Sequence, residues 1–419
     1  MPALAPTAPG NLARNRPRWE IADILHEHGE AYRRNNPLPP SHLKVMRAIE
    51  VCRTAALGGH VERCTLCAFE RQAYNSCRNR HCPKCQAMAK AKWLEARRSE
   101  LLPVGYFHNV FTLPHELNPL ALCNKKVVFN LLFQCVSETL QDFAADPKHG
   151  LGGKIGFTAV LHTWDQTLKE HIHLHCVIPA GVLADDGSRW VHARANYLFP
   201  VKAMSRLFRG KFIDLLKRAF HNGELIFPGQ TTALGTQAGF SLLICQLWKK
   251  EWVVYSKAPF GSPQKVLDYL GRYVHRVAIS NHRITNVENG NVSFAYRDRR
   301  DGDKLKEMTL PAEVFIGRFL LHVLPNSYMR IRHFGLLANR FKRRQLGRCR
   351  QLLDLPKELP ILPKKTMQER MLQLTGIDVT QCPCCKLGRM VTILELHPVP
   401  IRAVKAPNGQ PTKVVVDSS

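Results

Sequence analysis

The 419-residue sequence contains no uninterrupted apolar run of about 18 residues, so a conventional membrane-spanning helix is not expected. Its first ten residues, Met1 to Gly10, are rich in Pro and Ala and lack the apolar stretch of a secretory signal peptide. Both absences lead to the expectation of a cytoplasmic protein. No internal repeat and no long low-complexity segment is visible, which argues against a solenoid or a disordered array. Acidic residues are scarce. Against 60 Lys and Arg stand 33 Asp and Glu, giving a net charge of +27 and a pI near 9.8. A chain so short of negative charge is suited to a polyanionic partner, most often nucleic acid. Apolar residues, at 45%, are present in ordinary proportion, and the length is enough for two to four domains of roughly 150 residues.

Cysteine and histidine are not scarce. In a reducing cytoplasm the 14 cysteines are read as metal ligands or core residues rather than disulfides. Six lie between Cys52 and Cys85, five are scattered singly, and Cys382, Cys384 and Cys385 sit together. The chain reads as three regions. Residues 1–100 form a helical and zinc-binding DNA-binding domain, with helices expected over Trp19–Arg34, Ser41–Cys52 (Ser41 as N-cap) and Gln86–Leu102. Residues 101–300 mix the two types of element in an α+β catalytic domain. Strands are expected over Tyr106–Leu113, Ile155–His162, His171–Ile178 and Val253–Lys257, and helices over 119–144, 201–220 and 263–278. Residues 301–419 form a basic C-terminal region ending in a loose, Pro-rich tail.

Cys64-Thr-Leu-Cys67 and Cys82-Pro-Lys-Cys85 are two C-x-x-C knuckles with 14 residues between them. This is near the zinc-ribbon pattern, in which two tight turns present four thiolates to one tetrahedral Zn²⁺. Cys52, His60, Cys77 and His81 are left over and either complete a second site or serve as small buried residues and surface histidines. Arg78, Arg80, Lys84, Lys90 and Lys92 surround the knuckles as candidate phosphate contacts. Four protein ligands leave no open coordination position, so this module is structural and DNA-binding. Cys382-Pro-Cys-Cys385 contains another knuckle, with Cys349 or His397 as possible partners.

The segment His171-Ile-His-Leu-His-Cys-Val-Ile178 alternates strictly. In a strand, His171, His173 and His175 share one face, while Ile172, Leu174, Cys176 and Ile178 share the other. A lone histidine is usually a satisfied core residue, but three on one face opposite an apolar face point to a divalent ion, held first by His173 and His175. In Ser262–Arg276, Ser262 and Pro263 make a helix start. Tyr269 and Tyr273, four apart, then lie along one flank of the apolar stripe, with Arg272 on the outer surface. Residues 326–350 carry eight Lys or Arg and no acid. Arg330, Arg332, Arg340 and Arg343 are the DNA-contact candidates there.

His173-Leu-His175 followed by Tyr269-x-x-x-Tyr273 resembles the HUH endonucleases with two tyrosines. Four stretches narrow the likeness: Ser76–Cys85, Phe111–His115, Tyr269–His282, and Met329–His333 with Gly335–Arg340. With them the chain, over roughly residues 10 to 390, resembles the rolling-circle transposases of bacterial insertion sequences (insertion sequence 91 type) with an N-terminal zinc-binding domain. The resemblance implies a central antiparallel sheet with helices, Tyr269 and Tyr273 as nucleophiles on single-stranded DNA, and Mg²⁺ or Mn²⁺ at His173 and His175. It further implies terminal or hairpin DNA of a mobile element as partner, at a bacterial nucleoid. The third metal ligand is left open among Gln264, Asp268, His275 and His171. Two other readings keep part of the pattern: a non-catalytic zinc-dependent DNA-binding protein, and a metal-dependent nuclease using activated water.

Overall fold

A computed structural model describes residues 17–149, 151–260, 265, 266, 271 and 277–399. The expected loose tail beyond residue 400 lies outside them, as do Gln264, Asp268, Tyr269, Arg272, Tyr273 and His275. The chain divides into two units, one from residues 1–91, 280–292 and 363–419 and the other from 92–279 and 293–362.

The early helices are α1 (Ile21–Asn35), α2 (Pro40–Glu50), α3 (Pro83–Arg98), α4 (Asn118–Cys123), α5 (Lys125–Ala145), α6 (Val201–His221) and α7 (Gln237–Lys249). The strands begin with β1 (Gly59–Cys64), β2 (Glu70–Tyr74), β3 (Tyr106–Thr112), β4 (Gly153–Lys154), β5 (Gly156–Trp164), β6 (Glu170–Pro179), β7 (Gly181–Ala184) and β8 (Trp190–His192). They continue with β9 (Val254–Phe260), β10 (Ile284–Glu288), β11 (Asn291–Asp298), β12 (Lys304–Pro311), β13 (Ile331–Gly335) and β14 (Met390–Leu396). Further helices cover Ala312–Leu321, Lys342–Gln351 and Met367–Thr375. The fold is therefore α+β with antiparallel sheets. No described helix is long and apolar enough to cross a membrane.

In the first unit the sheet order is β14-β1-β2, so the last described strand pairs antiparallel with the first. Two local expectations shift here. Helix α2 is capped by Pro39 with Pro40 in its first turn, not by Ser41, because the proline ring already holds φ at the helical value. The basic helix starts at Pro83 and ends at Arg98.

The second unit is built on a five-stranded antiparallel sheet in the order β13-β5-β6-β3-β9. Alternation sorts its side chains. Phe157, Ala159 and Leu161 of β5, Ile172, Leu174 and Cys176 of β6, and Phe107 and Phe111 of β3 join one buried cluster. Val128, Leu132 and Val136 of α5 and Phe208, Phe212 and Leu216 of α6 complete that cluster. Each Val, Leu, Ile or Phe among them, fully buried, contributes roughly 1.5–3 kcal/mol, which makes this helix-covered layer the anchor of the sheet. The expected helix over 119–144 breaks at Asn124, whose amide donates to the carbonyls of Leu120 and Ile226 and accepts from the Ile226 N–H. At the sheet edge Gly335, with φ +57°, is required, since a Cβ there would sit 1.8 Å from the Ile155 carbonyl oxygen.

Candidate metal centres and nucleic-acid surface

The opposite face of the same sheet carries the histidines. Register places His162 of β5 directly across from His173 of β6, with Thr112 of β3 on the other side, and sets His175 across from Val110. His162, His173 and His175 are all buried, and one ring nitrogen from each lies within 4.8 Å of the others. Nε2 of His173 and Nε2 of His175 are 3.1 Å apart. Two nitrogens bound at right angles about 2.1 Å from one ion would be separated by about 3.0 Å, so the pair is spaced for a shared cation.

The outward nitrogens have partners that fix the tautomers. Nδ1–H of His173 donates to the His171 carbonyl at 2.7 Å, leaving the Nε2 lone pair toward the cluster. Nδ1 of His175 lies 2.8 Å from Nε2 of His108, a buried residue of β3. Burial, with Lys257 nearby, pushes His108 down to about 4, so it is neutral at physiological pH and accepts from the His175 Nδ1–H. His171 itself is exposed and stands outside the cluster, although its ring lies tilted against that of His173, with centroids 4.6 Å apart. The third imidazole is thus His162. It closes the strand expected over Ile155–His162, but only the cross-strand register shows that it meets His173. Among the described residues of the tyrosine segment, Val266 is helical and buried in one cluster with Val160 and Val177, which lie on the histidine face.

The thiols assemble differently from the expectation. Cys64 and Cys67 do not share a centre with Cys82 and Cys85; each knuckle finds its second pair elsewhere. Cys82 and Cys85 join Cys52 and Cys77, with Cys85 Sγ 3.6 Å from Sγ of both Cys52 and Cys77. Cys64 and Cys67 join Cys382 and Cys385, at 3.7 Å for Cys64–Cys385 and 3.6 Å for Cys67–Cys382. The reason is topological: the β1–β2 hairpin carries the 64–67 knuckle beside β14, while the 82–85 knuckle opens α3. His60 instead pairs with Glu62 at 3.4 Å, and neither it nor His81 enters a thiol cluster. Cys349 is buried with Leu346 and Leu336 in the second unit, its thiol pushed up to about 12 by burial, and His397 is exposed. Neither serves the third knuckle. Four sulfurs about 2.3 Å from a tetrahedral Zn²⁺ are spaced about 3.8 Å apart, close to what both clusters show and far from a disulfide.

The basic candidates divide by exposure. Arg78, Arg340 and Arg343 are exposed, as are Arg344 and Arg348 beside them. Arg330 is buried and Arg332 is held by Asn130 at 2.6 Å over the Phe133 ring. Lys84 is ion-paired with Glu20, Arg80 is half-buried, and Lys342 pairs with Glu100 at 2.7 Å. The basic stretch 326–350 therefore serves structure at its start and presents charge along the helix Lys342–Gln351.

Two family descriptions match parts of the chain. A family described as "Transposase zinc-binding domain" matches residues 24–113, and one described as "Putative transposase" matches residues 156–345. A Sinorhizobium fredii protein with the latter description is 49% identical over 385 residues, covering 91% of this chain and 96% of that protein. The transposase for insertion sequence element IS801 of Pseudomonas savastanoi pv. phaseolicola is 27% identical over 394 residues, covering 93% and 90%. No solved structure matches the chain.

Proposed function

Since this chain belongs to the insertion sequence 91 type transposases with an N-terminal zinc-binding domain, we propose that it moves DNA by cutting and rejoining one strand through covalent phosphotyrosine links. The observation that carries this reading is the convergence of His162, His173 and His175 on one face of the central sheet. Three imidazole ligands leave coordination positions open for phosphate oxygens, unlike the four-thiolate cages.

A divalent cation there, Mg²⁺ or Mn²⁺, would supply Lewis-acid polarisation of the scissile phosphoryl group and neutralise charge in its transition state. Imidazole donors suit Mn²⁺ better than Mg²⁺. The remaining work belongs to the chain's own residues. His173 and His175 present Nε2 because His171 and His108 hold their Nδ1–H groups. Tyr269 or Tyr273 attacks phosphorus through its phenolic oxygen. The P–O3′ bond breaks, the 3′ oxygen leaves with a proton as a hydroxyl, and a 5′-phosphotyrosine ester forms. Reversal by a 3′-hydroxyl reseals the strand and frees the tyrosine, so neither ATP nor water is consumed. Two tyrosines allow a second transfer while the first link persists, which is the requirement of rolling-circle movement. Burial of Val266 against Val160 and Val177 supports placing this segment on the histidine face. Arg340 and Arg343 in the second unit, and Arg78 in the first, supply phosphate contacts.

Incubation of the protein with end-labelled single-stranded DNA and Mn²⁺, followed by denaturation in SDS, tests this. A covalent protein–DNA band is expected, reduced in Tyr269→Phe or Tyr273→Phe and absent in the double variant. Cleavage that survives the double variant and leaves free 5′-phosphates would instead make the protein a hydrolytic nuclease.

A further inference from the structure

We propose that Cys64, Cys67, Cys382 and Cys385 hold a second structural zinc ion that sews the C-terminal arm into the N-terminal unit. The thiols come from positions 315 and 321 residues apart in sequence. Cys382 and Cys385 also lie far outside residues 24–113, the span matched by the zinc-binding domain family. That span already holds a complete set in Cys52, Cys77, Cys82 and Cys85, so Cys64 and Cys67 are surplus to it.

The geometry is that of two opposed knuckles. Cys67 is followed by Ala68 at φ 57° and Cys385 by Lys386 at φ 60°, so each turn closes through a left-handed residue. Backbone N–H groups point at the sulfurs: Leu66 donates to Cys64 at 3.3 Å and Gly388 to Cys385 at 3.3 Å. Such donors stabilise thiolate rather than thiol. At Gly388 a Cβ would lie 2.3 Å from the Cys64 sulfur, so only glycine lets the two knuckles close. The hairpins are tied together by Thr65 N–H donating to Arg389 O at 2.9 Å and by the register of Cys64 with Met390. No carboxylate or histidine belongs to the cluster. Four convergent thiolates repel one another unless a soft cation joins them, and a tetrahedral all-sulfur set suits zinc, with iron as its chemical competitor.

The consequence is a unit whose first and last strands are joined through metal. The sheet β14-β1-β2 stays incomplete until the segment containing Cys382 has been made and loaded.

Zinc content of the full chain, purified without chelator and measured by elemental mass spectrometry, decides the matter. Two equivalents per chain are expected. Cys382→Ser and Cys385→Ser should each fall to one, Cys385→His should regain the second, and Cys384→Ser, exposed and outside the cluster, should keep two. Should the serine variants fail to accumulate, the wild type answers alone through native alkylation. Cys64, Cys67, Cys382 and Cys385 should resist iodoacetamide until a chelator is added, while exposed Cys245 and Cys384 react at once. One equivalent in the wild type, two retained in the serine variants, or chelator-independent alkylation of these four cysteines would each overturn the proposal.

Discussion

The histidine cluster stands on neighbouring central strands of a five-stranded sheet, whereas the cysteine clusters sit on hairpin turns, a strand end and a helix start. In the first case main-chain hydrogen bonds and a helix-covered core fix the ligand positions before any cation arrives. In the cluster around Cys64 and Cys382, little apolar packing backs the thiols: it contains Met390, Phe69 and Cys385. The four-thiolate cages are also closed, while the imidazole site leaves coordination positions open. On the proposed reading, the same chain would use metal as a fastener in one place and as a reagent in another. Rigidity of the backbone beneath the ligands marks which is which.

The sharpest way to break that comparison is to remove metal from everything. Structural zinc contributes on the order of 10–16 kcal/mol of folding free energy in small zinc domains. A strong thiol-competitive chelator should therefore open residues 17–91 and 363–399 to protease while the segment from β3 to β9 stays resistant, as read by mass-mapped limited proteolysis. Equal loss of protection in both would show that the sheet also depends on metal.

Next in size comes His173→Ala or His175→Ala. Either should lower DNA cleavage by about a thousandfold or more, since a transition-state charge stabiliser is lost. Zinc content and binding of uncleaved DNA should stay near wild type. A fall in zinc would erase the distinction between the two kinds of centre.

A smaller effect is expected one step back from the cluster. His108 does not reach the convergence point but holds Nδ1 of His175 at 2.8 Å. His108→Ala should weaken Mn²⁺ binding about 10- to 100-fold, as outer-shell partners of metal-bound histidines commonly do. His108→Asn, which keeps an acceptor, should recover part of it. Mn²⁺ titration followed by electron paramagnetic resonance separates outcomes. No binding by the wild type would remove the metal reading itself, whereas unchanged binding in His108→Ala would remove only the role of His108.

How much of this was legible in the sequence follows the same division. Alternation in His171–Ile178 was enough to put His173 and His175 on one face, because strand periodicity is local. His162 was visible only as the last residue of an expected strand; its meeting with His173 depends on antiparallel register, which no local pattern encodes. The C-x-x-C knuckles were legible as turns that present thiols, but the choice of partner was not. Spacing favoured joining 64–67 to 82–85, whereas β14 brought Cys382 and Cys385 across more than 300 positions. The basic stretch misled in part for a related reason. Arg330 and Arg332 look like surface charge in sequence, yet one is buried and the other lies over Phe133.

The smallest effect concerns acid, and it sharpens what holds the sheet unit. His322 is buried, with Nδ1 accepting from the Thr163 hydroxyl at 3.2 Å and Nε2–H donating to the Leu168 carbonyl at 3.1 Å. Burial pushes it down to about 4, below the ordinary histidine value of 6.5, with nearby Lys125 acting in the same direction. The folded state therefore binds fewer protons than the unfolded state between those values. Its contribution is complete above about pH 6.5 and is lost as pH falls toward 4, at about 1.4 kcal/mol per pH unit. Thiolate cages also weaken in acid, so the drop in wild-type stability alone cannot separate the two regions. The difference between wild type and His322→Gln can. Urea unfolding at pH 7.5 and pH 5.0 should show the variant losing about 1–2 kcal/mol less than wild type across that interval. An identical pH dependence in both proteins would mean that His322 is not held neutral by the fold, and that acid acts on this chain through other groups, the buried His108 and the half-buried His333 among them.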